Sequence, residues 1–150
     1  MRVSDILRLK GNTLYALAPD RTLWAAVQTM AQHDIGSVVV MERGQLVGIL
    51  TFREIINTLH ENGGKIGDGT IQSAMDRTPQ TVCPETDVNE VRRLMLESHV
   101  RYLPVLDGAT LAGVISFYDV AKAVLEEQGL ENQMLKAYIR DWPEQESVSG

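Results

Sequence analysis

The sequence predicts an α+β fold made of two copies of one βαββα unit, followed by a C-terminal helix. The first observation is an internal repeat, because residues 19–56 align with residues 84–121 without a gap, at an offset of 65 (84 minus 19). The second is that each copy carries a helical apolar pattern followed by two short β-branched runs. The third is a glycine-rich stretch between the copies, which predicts a linker over residues 62–69.

The repeat is specific because it matches unusual residues as well as apolar ones. A proline, a methionine, a glycine and a phenylalanine recur in one frame. The matched pairs are Pro19 with Pro84, Met30 with Met95, Gly48 with Gly113 and Phe52 with Phe117. Residues 3–7 also resemble residues 71–75 at an offset of 68 (71 minus 3), which predicts a surface loop in residues 8–12. One copy alone would have a small core, so we expect the copies to pair.

Each copy begins with a short strand and a helix. Residues 14–17 and residues 81–82 are the predicted strands, and the prolines at 19 and 84 end them. After each proline, apolar residues recur at helical spacing and form one face. These faces consist of Leu23, Ala26, Val27 and Met30 in the first copy and Val88, Val91, Leu94 and Met95 in the second.

Each copy continues with a predicted hairpin and a second helix. The hairpin consists of two apolar runs parted by turn residues. The runs are residues 36–41 and 46–50 in the first copy and residues 102–106 and 111–115 in the second. The closing helices begin at Phe52 and Phe117.

The chain end carries a further apolar pattern, which predicts a helix from Ala121 to Trp142 in which Gly129 offers a place for a break. Its apolar face would pack on a second chain or back on the repeats. The predicted division is residues 1–61 for the first repeat, 62–69 for the linker, 70–127 for the second repeat, and 128–150 for a C-terminal helix and frayed tail.

Composition excludes several classes of function. Fourteen basic residues against twenty acidic ones give a formal charge of -6, which argues against nucleic-acid binding. Cys83 is the only cysteine, so neither an internal disulfide nor a CxxC metal site can form. The start does not resemble a signal peptide, and no apolar run has the length of a membrane span. We therefore expect a cytoplasmic protein without membrane contact.

The same ordered set of apolar and turn segments occurs twice, and it resembles the tandem CBS domain, also called the Bateman module. The resemblance is to the stand-alone CBS pairs of bacterial signal-transduction proteins. The matching segments are Pro19 with the helix after it, residues 35–40, 46–56, 100–105 and 111–120. The resemblance covers residues 3–123. It implies two repeats around a pseudo-twofold axis, with two clefts between them. Such clefts bind adenosine-containing ligands, namely AMP, ADP, ATP, NAD or S-adenosylmethionine. The resemblance also implies a homodimer with a regulatory role.

The family's ligand motif is a glycine, an apolar strand end, Ser or Thr, two residues and Asp, and residues 113–119 match it. A helix that starts there presents unpaired N–H groups and a positive dipole end, which suit a phosphate. The Ser116 hydroxyl adds a donor. The Asp119 carboxylate, one turn into the helix, can accept hydrogen bonds from both ribose hydroxyls, as the acidic residue of dinucleotide folds does.

The same residues also fit a helix cap. Ser-x-x-Asp and Thr-x-x-Glu before an apolar run are capping-box patterns. Thr51 with Glu54 fits that pattern better than Ser116 with Asp119, because Glu is the preferred partner at the third helical position. The sequence therefore favours Asp119 over Glu54 as the nucleotide residue.

The resemblance nominates a set of residues for each cleft. The nucleotide-binding cleft would contain Tyr15, Leu17, Gly36, Ser37, Val38, Val114, Ser116, Tyr118 and Asp119. The second cleft would contain Thr51, Arg53, Glu54, Gln80, Val82, Arg101, Tyr102 and Leu103. Gly36 would allow close approach of the backbone to the ligand. Arg101 is either a phosphate contact or a solvated surface arginine, and its position near Arg53 favours the phosphate.

The functional prediction is a regulatory or sensor module that binds an adenosine-containing nucleotide and passes a shape change to a partner that the sequence does not identify. The nucleotide is a regulatory ligand, and no cofactor or metal is required. The alternative is a dimerisation or interaction scaffold without a ligand, in which Ser116 and Asp119 only cap a helix. No catalytic residue is predicted, because no nucleophile–base pair or metal cluster is visible.

Overall fold

The computed structural model describes residues 1–11 and 13–140. The elements of its first half are α1 (Val3–Lys10), β1 (Ala16–Leu17), α2 (Leu23–His33), β2 (Ser37–Glu42), β3 (Gln45–Thr51) and α3 (Phe52–Glu61). Those of its second half are α4 (Ile71–Ala74), α5 (Val88–Ser98), β4 (Tyr102–Asp107), β5 (Thr110–Ser116) and α6 (Phe117–Arg140). The predicted α+β fold, with two similar halves and a C-terminal helix, is confirmed. The predictions for Trp142 and the tail lie outside the described residues.

The two halves are equivalent at the level of strand register. In the first half β1 runs parallel to β2, and β2 forms an antiparallel hairpin with β3. In the second half β4 and β5 form the matching hairpin. Each hairpin has an irregularity at the same repeat position, between Val40 and Met41 and between Val105 and Leu106. The repeat of the sequence is therefore a repeat of structure down to its bulges.

Several local predictions were wrong. Residues 81–82 form no strand, because Val82 makes only one isolated bridge, to Val105. Residues 8–10 belong to helix α1 rather than to a loop, and the basic side chains in that last turn suit the negative end of the helix dipole. Helix α6 runs through Gly129 without a break, since a single glycine costs only about 1 kcal/mol within a helix.

The two halves exchange their first helices. Val3 and Ile6 of α1 are buried in the core of the second half, beside α5 and the β4–β5 hairpin. Ile71 of α4 is fully buried in the core of the first half, beside α2 and the β2–β3 hairpin. The backbone secures both exchanges, because the Val3 amide donates to the Thr86 carbonyl at 2.9 Å and the Ile71 amide to the Arg21 carbonyl at 2.8 Å. Each core is therefore complete only when both halves are present.

The exchange explains why glycine recurs at the repeat positions 48 and 113. A Cβ at Gly113 would lie 2.8 Å from a methyl carbon of Leu7, and one at Gly48 would lie 2.9 Å from the sulfur of Met75. Leu7 and Met75 are themselves equivalent at the offset of 68 (75 minus 7). Gly113 thus admits helix α1, and Gly48 admits Met75 and Asp76, which directly follow helix α4. This mutual arrangement agrees with the implied pseudo-twofold relation.

No helix among the described residues is long and apolar enough to span a membrane.

Candidate functional site

A cleft of about 1370 Å³ opens between the two halves. The beginnings of α3 and α6 border it, together with the ends of α1, α2 and α5 and the first residues of β2 and β4. Its walls combine apolar and aromatic side chains with a few charged ones, the composition typical of small-molecule sites. The two clefts implied by the sequence are thus parts of one continuous opening, which is large enough for a nucleotide.

Thr51 and Glu54 build the helix start on the first half. The Thr51 amide donates to Glu54 Oε1 at 2.9 Å, and the Arg53 amide donates to Thr51 Oγ1 at 3.2 Å. The Phe52 amide is also used, since it donates to the Gly36 carbonyl at 3.2 Å. These amides are therefore already paired, and an incoming phosphate would have to displace the cap or bind elsewhere.

Burial raises the pKa of Glu54 above its ordinary value of 4.5, although the hydrogen bonds from Thr51 oppose that effect. The negative charge of Asp76 raises the pKa further, and Arg53 lowers it. The folded protein therefore holds this proton more tightly than the unfolded chain does. The resulting contribution to stability is fully present below pH 4.5 and is lost as the pH rises through the folded pKa.

We expect Glu54→Gln to remove that pH dependence while keeping the cap, because glutamine also serves as a capping-box partner. The free energy of unfolding of the wild type, relative to the variant, should therefore fall as the pH rises from below 4.5 to neutral. Urea denaturation of both proteins at a series of pH values measures this difference. A difference that stays constant, or grows with pH, would contradict the proposed cause.

Ser116 and Asp119 build the equivalent helix start on the second half. The Ser116 amide donates to Asp119 Oδ2 at 2.9 Å, and the Asp119 amide donates to Ser116 Oγ at 3.0 Å. The Phe117 amide donates to the Arg101 carbonyl at 2.8 Å. Asp119 thus caps its helix as fully as Glu54 does. Capping patterns therefore do not separate the two carboxylates, contrary to the expectation from sequence.

Asp119 differs from Glu54 in having a cationic partner. Lys10 Nζ lies 2.7 Å from Asp119 Oδ2, and it also donates to the Val114 carbonyl at 2.8 Å. Lys10 ends the helix α1 that crosses from the first half. It was absent from the predicted site because 109 positions separate it from Asp119 and no local pattern relates them.

Most of the predicted residues do meet at the cleft. The lining includes Tyr15, Gly36, Ser37, Val114, Ser116 and Tyr118 of the first set, and Thr51, Arg53, Glu54, Arg101 and Tyr102 of the second. Tyr15 is held by its stacking on His33, with the ring centroids 4.1 Å apart. Arg53 donates to the His99 carbonyl at 3.3 Å, an exposed contact that a stronger acceptor could replace.

Other predicted residues are not part of the lining, among them Asp119, which reaches it only through its partners Lys10 and Ser116. Val38, Val82 and Leu103 are buried in the cores, so their side chains do not reach a ligand. Strand alternation is the reason for two of them: Ser37 and Tyr102 face the cleft, and the next residue on each strand points to the opposite side. Leu17 packs against the core of the first half. Gln80 is exposed outside the lining.

Tyr102 fills the middle of the cleft. Its hydroxyl lies against Gly36, where a Cβ would overlap it, and its ring meets Phe52 edge-on at a centroid distance of 6.4 Å. Burial raises the pKa of its hydroxyl, and the charge of Arg101 acts in the opposite direction. Phe52 and Gly36 belong to the first half, so this ring joins the two halves across the opening. Among the described residues, no cluster of His, Cys, Asp and Glu could hold a metal ion.

The chain resembles known proteins over most of its length. It is 31% identical over 147 residues to the CBS domain-containing protein CBSX3, mitochondrial, of Arabidopsis thaliana, covering 92% of this chain and 71% of that protein. The crystal structure of the CBS domain protein NE2398 superposes with a TM-score of 0.79 at 32% identity, covering 83% of this chain and 98% of the other.

Two further structures share the fold at lower identity and contain adenosine compounds. The CBS domain pair of MJ0100, in complex with 5′-methylthioadenosine and S-adenosyl-L-methionine, superposes with a TM-score of 0.74 at 23% identity, covering 85% of this chain and 98% of that one. CBSX2 in complex with AMP superposes with a TM-score of 0.71, also at 23% identity and the same coverage. The family model of the CBS domain matches residues 3–61 and again residues 69–126. The chain therefore belongs to the CBS domain family, as a tandem pair of CBS domains.

Proposed function

We propose that this protein is a regulatory module that senses an adenosine-containing nucleotide in the cleft between its repeats. The candidates are AMP, ADP, ATP, NAD and S-adenosylmethionine, each as a regulatory ligand rather than a cofactor. The observation that carries the proposal is the convergence of the starts of helices α3 and α6, apolar walls and two arginines on one opening of nucleotide size. The complexes of MJ0100 and CBSX2 support it, because both proteins bind adenosine compounds with the same fold.

The contacts suggest where each part of the ligand would lie. Tyr15 and Ser37 offer a ring and a hydroxyl for the adenine, whereas the space beside Gly36 is already filled by Tyr102 and Phe52, contrary to the expectation of close backbone approach. Asp119 and the Val114 carbonyl are the acceptors for the ribose hydroxyls. The phosphates would bind the guanidinium groups of Arg53 or Arg101, because the capped helix amides are already paired.

Sensing requires that the ligand bind one conformation more tightly than another. The cleft joins the two halves through Tyr102 and through the helix starts, so a ligand there contacts both halves at once. We propose that the resulting shape change reaches a partner protein or the interface of a homodimer, in the cytoplasm, without a catalytic step.

A dimerisation or interaction scaffold without a ligand is the second candidate, and two observations favour it. Ser116 and Asp119 form a helix cap with each other's amides without any ligand. Near the cleft and along α6, the apolar side chains of Ile56, Tyr118 and Leu125 are 61%, 72% and 67% exposed, and a second chain could cover them.

Calorimetry and thermal shift with AMP, ATP, NAD and S-adenosylmethionine distinguish these functions. We expect at least one ligand to raise the melting temperature with its concentration, by mass action. Asp119→Ala should weaken the binding of that ligand by about a hundredfold, because the charge-assisted hydrogen bond from the ribose to the carboxylate is lost.

Asp87→Ala is the matched control for the loss of a helix cap. Asp87 caps α5 by accepting from the Asn89 amide at 2.8 Å, and it does not line the cleft. The control should be destabilised by about 1 kcal/mol and should bind the ligand normally. If no adenosine compound stabilises the protein, or if Asp119→Ala binds as the wild type does, the scaffold is the better function. Conversion of a bound nucleotide would instead indicate an enzyme.

A further inference from the structure

The ion pair of Lys10 with Asp119 occupies the place where the proposed function puts the ribose. The Lys10 side chain is 33% exposed and that of Asp119 16%, so the carboxylate is shielded from most of the solvent. Lys10 is itself part of the cleft lining. A partly desolvated pair of this kind is screened less by salt than a surface pair.

The ammonium group uses the same acceptors that a ribose would use. It donates to Asp119 Oδ2 at 2.7 Å and to the Val114 carbonyl at 2.8 Å. A vicinal diol also presents two donors at neighbouring positions. Lysine and ribose therefore compete for Asp119 Oδ2 and the Val114 carbonyl, and a ribose that uses both of these acceptors displaces the ammonium.

The position of Lys10 is fixed by the exchanged helix. Helix α1 packs Val3 and Ile6 into the core of the second half, and Leu7 lies against the strand that carries Val114. Because α1 is anchored in this way, the displaced ammonium stays within one side-chain length of the cleft that Lys10 lines. The corresponding helix α4 ends at Ala74 after four residues, so it offers no counterpart to Lys10 at the end of α1, and the other half lacks this device.

We propose that Lys10 is a specificity residue that selects phosphorylated nucleosides over neutral ones. This inference rests on the proposed function. Binding of a ribose to these two acceptors breaks the ion pair of Lys10 with Asp119. A ligand with a phosphate repays that cost, because the released ammonium forms a new charge-assisted hydrogen bond with the phosphate. A neutral nucleoside gives the ammonium only water, so its binding carries the full cost.

Calorimetric titration with AMP and with adenosine, at one salt concentration, tests the proposal. In Lys10→Met we expect adenosine to bind about tenfold more tightly than in the wild type, because its competitor is gone. The affinity for AMP should change little, because the variant lacks both the ammonium that competes with the ribose and the contact of that ammonium with the phosphate. The preference for AMP over adenosine should therefore fall by about tenfold. Lys10→Arg keeps the charge and should keep the preference.

Arg8→Met is the matched control, because it removes one positive charge from the same helix turn. Arg8 is 76% exposed and pairs only with Asp5 on its own helix among the contacts of the described residues. It should leave the preference unchanged. If Lys10→Met keeps the wild-type preference, Lys10 does not set specificity, and the nucleotide sensor still stands. If neither AMP nor any other adenosine compound binds the wild type, the proposed function fails and this inference fails with it.

Discussion

Replacing Ile71 by alanine is expected to destabilise the protein by about 2–5 kcal/mol, the cost of a cavity left by a large aliphatic side chain. Ile71 is fully buried, although it belongs to a helix of only four residues. It lies among Leu23, Val40 and Leu50 in the core of the first half. The loss of stability should therefore appear first in strands β2 and β3 of the first half, although Ile71 belongs to the second half of the chain.

Ile6→Ala provides the mirrored case. Ile6 is 5% exposed and lies in the core of the second half, beside Val88, Leu103 and Ile115. Hydrogen exchange can distinguish the two variants, because local opening exposes amides in proportion to local stability. Ile71→Ala should speed exchange mainly in residues 37–51, and Ile6→Ala mainly in residues 102–116. Urea denaturation measures the total loss in each variant.

Leu9→Ala is the control for these two changes. Leu9 lies on the same helix as Ile6, but it is 76% exposed, so its removal should change the free energy of unfolding by less than about 0.5 kcal/mol. Faster hydrogen exchange in residues 102–116 of Ile71→Ala, with residues 37–51 still protected, would contradict the placement of Ile71 in the core of the first half. Equal loosening of both hairpins would mean that the two cores open together and that each depends on the other.

Local patterns were sufficient to predict the hairpins and the main helices. The runs of residues 36–41 and 102–106 became β2 and β4 with shifts of one residue, because their β-branched side chains and the turns after them agree. The gapless offset of 65 also predicted equivalent halves, and even the strand irregularities recur at it (105 minus 40). These elements were predictable because the β-branched runs, the turn residues and the repeat all indicate the same structure.

The exchange of helices and the pair at Asp119 could not be predicted in the same way. No local pattern relates Val3 to Thr86 or Lys10 to Asp119, because these contacts join distant segments. The assignment of Leu103 to the cleft failed for another reason. The family resemblance assigns consecutive residues of a strand to the cleft, whereas alternation along a strand directs only every second side chain to one face. Applied to β4, that rule would have kept Tyr102 and excluded Leu103.

Gly36→Ala is expected to destabilise the protein by about 1–3 kcal/mol through overpacking at the centre of the cleft. The added Cβ would overlap the Tyr102 hydroxyl and would lie 2.7 Å from its ring carbon Cζ and 2.5 Å from Phe52 Cε2. Gly36 does not have a positive φ, so alanine fits its backbone and the whole cost is steric. Thermal and urea denaturation of the variant measure it.

Tyr102→Leu should identify the group against which Gly36 packs. Alone it should cost about 0.5–1.5 kcal/mol, because the edge-on contact with Phe52 is lost. Combined with Gly36→Ala it should remove the overlap, so the double variant should be more stable than the sum of the single losses by about 0.5–3 kcal/mol. Gly129→Ala adds a methyl group where nothing lies within 4 Å and should not destabilise the protein.

The double-mutant cycle of Gly36→Ala and Tyr102→Leu also tests whether the two halves are energetically coupled across the cleft. Gly36 and Tyr102 lie 66 positions apart (102 minus 36), in different halves, and both line the cleft. A coupling energy between them therefore measures packing across the interface rather than within one repeat. If the free-energy losses of the two single variants simply add up, the ring of Tyr102 can move away from residue 36 without an energetic cost. In that case the two halves would be held together by the exchanged helices α1 and α4, and a ligand would have to act on the cleft through contacts other than this pair.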